Sequence, residues 1–196
     1  MENNDKFSKP PSILLQQIAC GDQAAFKEIY TCYYKSLFQF ALSIVRTREA
    51  AEEIVQNVFV KIWQRRSDLP DIQNLRVYLY TATKNTSLNF LASKARQNIT
   101  EPFDHIPIEL GGSVLTPEQI LITAEVDKKI QQAIEGLPPR CKMIFKLIRE
   151  DALKYKEVAE ILNITVNTID VQMAIAVKRI AAALASEMSP STLRRN

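Results

Sequence analysis

The sequence predicts an all-α chain of two small helical domains, and three observations carry that expectation. Only 4 of the 196 residues are Gly and strong helix formers dominate, which argues against a sheet-rich or glycine-looped enzyme. Apolar residues recur three or four positions apart through most of the chain, the helical signature. One stretch, 98–117, breaks that pattern. It holds Pro102, Pro107, Pro117 and the adjacent pair Gly111-Gly112, and reads as a flexible interdomain linker. The expected domains are therefore 12–97 and 118–186.

The elements follow in order. Residues 1–11 end in Pro10-Pro11 and read as a flexible lead. Helical periodicity then runs from Ile13 through Leu14, Ile18, Phe26, Ile29, Tyr33, Leu37, Phe40 and Ile44. Thr47 to Glu49 is a short break. A helix from about Ala50 to Arg65 sets Ile54, Val55, Val58, Phe59, Ile62 and Trp63 in one wide stripe. Glu52, Glu53, Gln56, Asn57 and Lys61 lie opposite. Ser67 to Asn74 holds Pro70 and two aspartates, so it is a loop, and a further helix covers about 75–96. After the linker, Thr116-Pro117-Glu118-Gln119 signals a helix start, with Thr116 as cap and Pro117 at the first position. Helices are expected at about 118–135, 138–150, 155–162 and 166–186. Residues 189–196 read as a disordered tail.

Charge divides along the chain. The formal net charge is +3, but residues 1–98 carry 13 Lys+Arg against 9 Asp+Glu. Residues 99–117 carry three acids and no Lys or Arg, and 118–196 carry 12 against 10. Two mildly basic ends flanking an acidic middle allow a nucleic-acid partner without requiring one. Cys20, Cys32 and Cys141 are odd in number and widely spaced, so no disulfide framework is expected. With His105 the single histidine, no metal site and no cofactor are expected either. Neither a signal peptide nor an apolar run of about 20 residues is visible, so the expected location is cytoplasmic.

The most informative stretch is YKEVAEILNITVNTIDVQMAIAVKRI, from Tyr155 to Ile180. It fits a helix-turn-helix. Ala159 is small where two helix axes must approach. Asn163 sits at the turn, where a left-handed backbone is needed. Val158, Leu162, Ile164, Ile169 and Met173 would form the shared core, and Thr165 can cap the second helix. That cap leaves the helix's first amides facing outward, suited to a phosphate. The outward face of the second helix would carry Val166, Asn167, Asp170, Val171, Gln172 and Ile175, with Lys178 and Arg179 beyond. Asn and Gln read adenine edges, while Lys and Arg hold phosphates. An amphipathic hairpin with a solvated polar face is the bland alternative, and Asp170, Val171 and Ile175 fit a phosphate-lined groove poorly.

Together with the preceding LPPRCKMIFKLIREDALKYKEVAEIL, from Leu137 to Leu162, this segment resembles region 4 of the sigma-70 family of sigma factors. AAFKEIYTCYYKSLFQFAL (24–42) resembles region 2.1, and AAEEIVQNVFVKIWQRR (50–66) resembles region 2.2. LRVYLYTATKNTSLNFL (75–91) resembles regions 2.3 and 2.4. Four ordered blocks are far more specific than one helix-turn-helix. The linker holds no further domain, as in the extracytoplasmic-function (ECF) group.

The resemblance implies a non-catalytic factor that binds RNA polymerase core, at the β′ clamp helices and the β flap, and directs promoter recognition and DNA opening. Region 2.2 would meet polymerase through Glu52, Glu53, Gln56, Asn57 and Lys61. Regions 2.3 and 2.4 would read and melt the −10 element through Gln73, Asn74, Arg76, Tyr80, Lys84, Asn85 and Asn89, with the 68–74 loop capturing a base. Of the two rings on this helix, Tyr80 is assigned to DNA, whereas Tyr78 is divided evenly between DNA and core. Region 4 would dock at the −35 element through Thr165, Asn167, Thr168, Asp170, Val171, Gln172, Ile175, Lys178 and Arg179. An anti-sigma factor is a candidate partner. The chain departs from the family pattern at Glu53, Asn57, Lys84, Asn163 and Ile175. Two other classes compete: a dimeric helix-turn-helix regulator, which has no use for the 24–91 blocks, and a helical adaptor that binds only protein. An enzyme comes last, for want of a nucleophile, a metal cluster or a phosphate loop.

Overall fold

The computed structural model describes residues 12–97 and 123–185. The lead, the linker, the Thr116-Pro117 start signal and the tail all lie outside the described residues. Eight α-helices and one 3-10 helix make up the described chain. They are α1 (Ser12–Ala19), α2 (Gln23–Val45), α3 (Arg48–Gln64), the 3-10 helix (Arg66–Asp71), α4 (Leu75–Gln97), α5 (Thr123–Glu135), α6 (Pro139–Arg149), α7 (Tyr155–Leu162) and α8 (Val166–Ala185). No described helix is long and apolar enough to cross a membrane.

The helical period from Ile13 to Ile44 belongs to two helices, not one. Gly21 breaks it with φ 93°, a backbone open to Gly without steric cost. Asp22 then caps α2, its carboxylate accepting from the Ala24 and Ala25 amides at 2.8 and 3.1 Å. A single Asp at that position satisfies two of the four orphan amides of a helix start. α2 ends at Arg46, which takes a left-handed conformation with its N–H on the Leu42 carbonyl at 2.9 Å. Part of the expected 67–74 loop is helical as well, since Arg66–Asp71 closes into the 3-10 helix around Leu69, which is buried.

The N-terminal helices pack as α2 on α3 and α4, with α1 lying on the 3-10 helix. Their core includes Ile18, Leu37, Ile54, Val58, Leu69 and Leu79, all essentially inaccessible. Each such side chain contributes on the order of 1.5–3 kcal/mol by leaving water. α4 buries polar residues too. The Thr83 and Ser87 hydroxyls donate to the Leu79 and Thr83 carbonyls one turn back, at 2.9 and 2.8 Å, so neither is orphaned.

The C-terminal helices pack α5, α6 and α7 around α8. Glu135, at the end of α5, binds Lys142 and Lys146 of α6 at 3.0 and 3.2 Å. That bridge lets Lys142 be buried as an ion pair. α7 also packs on α4, and buried residues of both halves form one continuous cluster.

Candidate nucleic-acid interface

The helix-turn-helix is built by local chemistry. Asn163 ends α7 at φ 54° and ψ 53°, the left-handed region where Asn costs less than other residues with a side chain. The Ile164 amide closes back on the Ala159 carbonyl at 3.0 Å. Thr165 Oγ1 then accepts from the Thr168 amide at 3.1 Å and lies 2.9 Å from the Thr168 hydroxyl. The inner stripe of α8 is Ile169, Met173 and Ala176, all buried, which leaves the opposite face to solvent. Asn167, Asp170, Val171, Ile175, Lys178 and Arg179 are exposed there, with Thr168 and Gln172 half-buried. In the shared core Val158, Ile169 and Met173 are buried as expected, but Leu162 and Ile164 are only partly so. Ile161, not singled out from the sequence, is fully buried instead. The α6 helix braces α8 through the Cys141 thiol, which donates to the Gln172 carbonyl at 3.1 Å. Burial pushes that thiol's pKa up, as befits a packing residue and not a reactive one.

A second candidate surface lies on α3. Ile54, Val55, Val58, Phe59 and Ile62 face the core, and Glu53, Gln56, Asn57 and Lys61 are exposed opposite them. Glu52 is half-buried and held by Arg48 Nε at 2.9 Å. The Arg48 guanidinium also lies 5.6 Å from the centre of the Phe38 ring, a cation–π distance. Sequence reasoning left out both Arg48 and Val60, which is 53% exposed on this face. The i, i+4 spacing of Arg48 and Glu52 was the available signal.

The third surface is α4 with the turn before it. Gln73, Asn85 and Asn89 are exposed, and Lys84 is half-buried. Asn74 caps the helix, its Oδ1 accepting from the Val77 amide at 3.2 Å. Its Nδ2 donates to Glu157 Oε1 of α7 at 2.8 Å. Arg76 is 7% exposed, and its Nη1 donates to the Ala152 carbonyl at 3.3 Å.

Tyr80, assigned to DNA on sequence, is the buried ring of α4, and Tyr78, divided evenly between DNA and core, is the exposed one. Tyr80 is fully buried, its ring 5.3 Å from Phe40, whereas Tyr78 is 37% exposed. The reason is helical phase, because two residues on a helix point about 200° apart. The side of α4 carrying Tyr80 faces α2 and the α6–α7 loop, and the buried Tyr80 hydroxyl lies near Asp151 and Ser36 without closing a hydrogen bond to either. Burial holds that hydroxyl well above the usual tyrosine pKa, so it stays protonated. Arg76 and Tyr80 thus do not share an open face with Lys84, whereas Tyr78 shares one with Asn85 and Asn89.

Comparison with known proteins identifies the two halves of the chain. The family described as Sigma-70 region 2 matches residues 29–97, and Sigma-70, region 4 matches residues 127–180. The ECF RNA polymerase sigma-E factor of Escherichia coli (strain K12) is 25% identical over 163 residues, covering 80% of this chain and 85% of the relative. The ECF RNA polymerase sigma factor SigW of Bacillus subtilis (strain 168) is 25% identical over 167 residues, covering 79% and 86%. Two solved structures share the fold. CnrH in complex with the cytosolic domain of CnrY has TM-score 0.56 at 19% identity, over 90% of this chain and 97% of that one. The sigma factor RpoE of Bartonella quintana, in complex with the anti-sigma factor NepR, has TM-score 0.55 at 20% identity, over 83% and 98%. With region 2 and region 4 matched in order and ECF sigma factors as its relatives, the chain belongs to the sigma-70 family, in its extracytoplasmic-function group.

Proposed function

We propose that this chain is a sigma factor that binds core RNA polymerase, directs it to promoters by reading −10 and −35 elements, and opens the DNA. The observation that carries this reading is the ordered pair of sigma regions on one chain, the second ending in an exposed recognition helix. In the −35 role, α8 enters the major groove with Asn167 and Gln172 toward base edges and Lys178 and Arg179 toward phosphates. Asp170, Val171 and Ile175 line the same face and restrict which bases fit. Thr165 and Thr168 fix the helix start and keep its amides directed outward.

In the −10 role, α4 and the 68–74 loop hold unstacked bases. Opening a duplex requires groups that replace stacking and pairing, namely rings and amides. Gln73, Asn85 and Asn89 supply amides, and exposed Tyr78 supplies the ring. Asn74, Arg76, Tyr80 and Lys84 complete the surface when α7 is moved away. The α3 face of Glu53, Gln56, Asn57 and Lys61 meets polymerase. No bond-making step falls to this chain, and nucleotide addition belongs to the polymerase. An anti-sigma factor is a proposed further partner, by analogy with the complexed neighbours.

Transcription by core polymerase on a library of randomised promoters tests the reading. Adding the chain should enrich transcripts from templates sharing two separated sequence elements. A library transcribed identically with and without the chain would refute it.

A further inference from the structure

The outward face of α8 carries an apolar stripe. Val171 is 50% exposed and Ile175 is 36% exposed. At about 100° per residue, both point about 160° away from Met173, the buried residue between them. They are therefore neighbours one turn apart on the centre line of the free face. Ala174, also exposed, lies beside them and adds no polar side-chain atom. Val166 and Val177 are exposed too, but they turn within about 40° of the Met173 side and do not belong to the stripe. Single apolar residues at a surface need no explanation. Two in register do, on the line of a recognition helix that meets the floor of a groove.

Polar residues bracket the stripe. Asn167 stands one turn before Val171, and Lys178 and Arg179 stand one turn after Ile175, all three exposed. The order along the face is thus amide, apolar pair, cations. Cations on phosphate fix position and carry no sequence information, and an amide reads adenine. Neither contact occupies Val171 or Ile175, whose side chains have no donor and no acceptor. The major groove offers one alkyl group on its base edges, the 5-methyl of thymine. The other edge atoms are donors and acceptors, and an aliphatic side chain laid over one would remove its water and return no hydrogen bond.

We propose that Val171 and Ile175 read thymine: the pair packs on one or two thymine methyl groups in the −35 element, beside an adenine read by Asn167. This rests on the reading of α8 as the −35 helix given above and adds the bases it selects. The scale fits. The two side chains are about 6 Å apart along the helix, and base pairs follow one another at about 3.4 Å. One helix turn therefore spans two base-pair steps.

The test uses holoenzyme on a promoter recovered from the randomised library. Each thymine of its −35 element, on either strand, is replaced in turn by deoxyuridine. That base keeps the O4 acceptor and the pairing and lacks only the methyl. Filter binding to the duplex compares the two bases at each position, and this arm needs no variant. One or two replacements should each weaken binding about fourfold, and the others should leave it unchanged. Val171→Ala with Ile175→Ala shortens both side chains and should abolish the difference between the two bases. Ile175→Val keeps a branched apolar side chain and should retain most of it. The replaced residues are exposed and Ala favours helix, and circular dichroism checks that the helices remain.

A wild-type chain that tolerates deoxyuridine at every position would overturn the proposal. So would a −35 element with no thymine on either strand. A thymine preference that survives Val171→Ala with Ile175→Ala would overturn it as well, and is the result expected if the stripe covers a protein partner instead. The fate of the −35 reading itself is decided separately. A library with no enriched element removes both readings together, whereas an enriched −35 element indifferent to the methyl removes this inference alone.

Discussion

Asp151 is the residue whose chemistry most depends on the two halves meeting. Burial pushes its carboxyl from 3.8 up to about 6, opposed by the Arg76 cation and by the Tyr80 and Ser36 hydroxyls, and reinforced by Glu150. Lys35 of α2 and Lys146 of α6 line the same cavity, of about 320 Å³. A raised acid pKa means that the folded chain holds the proton more tightly than the unfolded chain. Stability from this group is therefore present below pH 3.8, declines as pH rises to about 6, and stays lost above. Asp151→Asn removes the cost of the buried charge. It should stabilise the chain by about 1–3 kcal/mol at pH 7.5 and by much less at pH 4, read from urea unfolding at both pH values. Its neighbour Ala152 carries backbone strain at φ 51°. Ala152→Gly keeps the carbonyl that Arg76 uses and should add about 0.5–1 kcal/mol of stability in the same measurement, because relief of strain exceeds the entropy cost of Gly.

Individual helices are legible in the sequence wherever local chemistry sets them. Asn163 and Thr165 mark the turn and cap of the helix-turn-helix, and both take those roles. The α1–α2 break at Gly21-Asp22 is hidden, because the apolar period continues on either side of it. The choice between Tyr78 and Tyr80 is beyond local pattern, since α4 carries apolar residues around much of its circumference and is packed by α2, α3 and α7. Which ring is covered depends on what those other elements supply. Two predictions belong to single helices. On α8, Lys178→Ala with Arg179→Ala should weaken duplex binding and lower the log–log salt slope by roughly 0.9 for each phosphate no longer neutralised, read by filter binding at several salt concentrations. An unchanged slope would remove these two side chains from the DNA backbone interface. On α3, Glu53 is exposed while Glu52 is engaged by Arg48, which makes Glu53→Lys the sharper probe. It should weaken core polymerase binding about fivefold, with helicity intact, in a titration against labelled core.

At the scale of the whole molecule, two ordered helical blocks are visible in the sequence and their mutual packing is not. Asn74 and Glu157 meet in space, yet nothing in either segment's periodicity names the other as a partner. Each residue has a sufficient local reason to be where it is: Asn74 caps α4, and Glu157 accepts from the Lys154 amide at 2.9 Å in the first turn of α7. Under the proposed function the two halves divide the labour, with α8 on duplex DNA and α4 on the opened strand. Permanganate footprinting of holoenzyme on a promoter recovered from the library tests that division most directly, with filter binding of the same complexes in parallel. Asn85→Ala with Asn89→Ala should leave duplex affinity within about twofold and abolish reactive thymines at the −10 element, while Lys178→Ala with Arg179→Ala should lose duplex affinity first. Equal loss of duplex binding and of thymine reactivity in both variants would contradict the account.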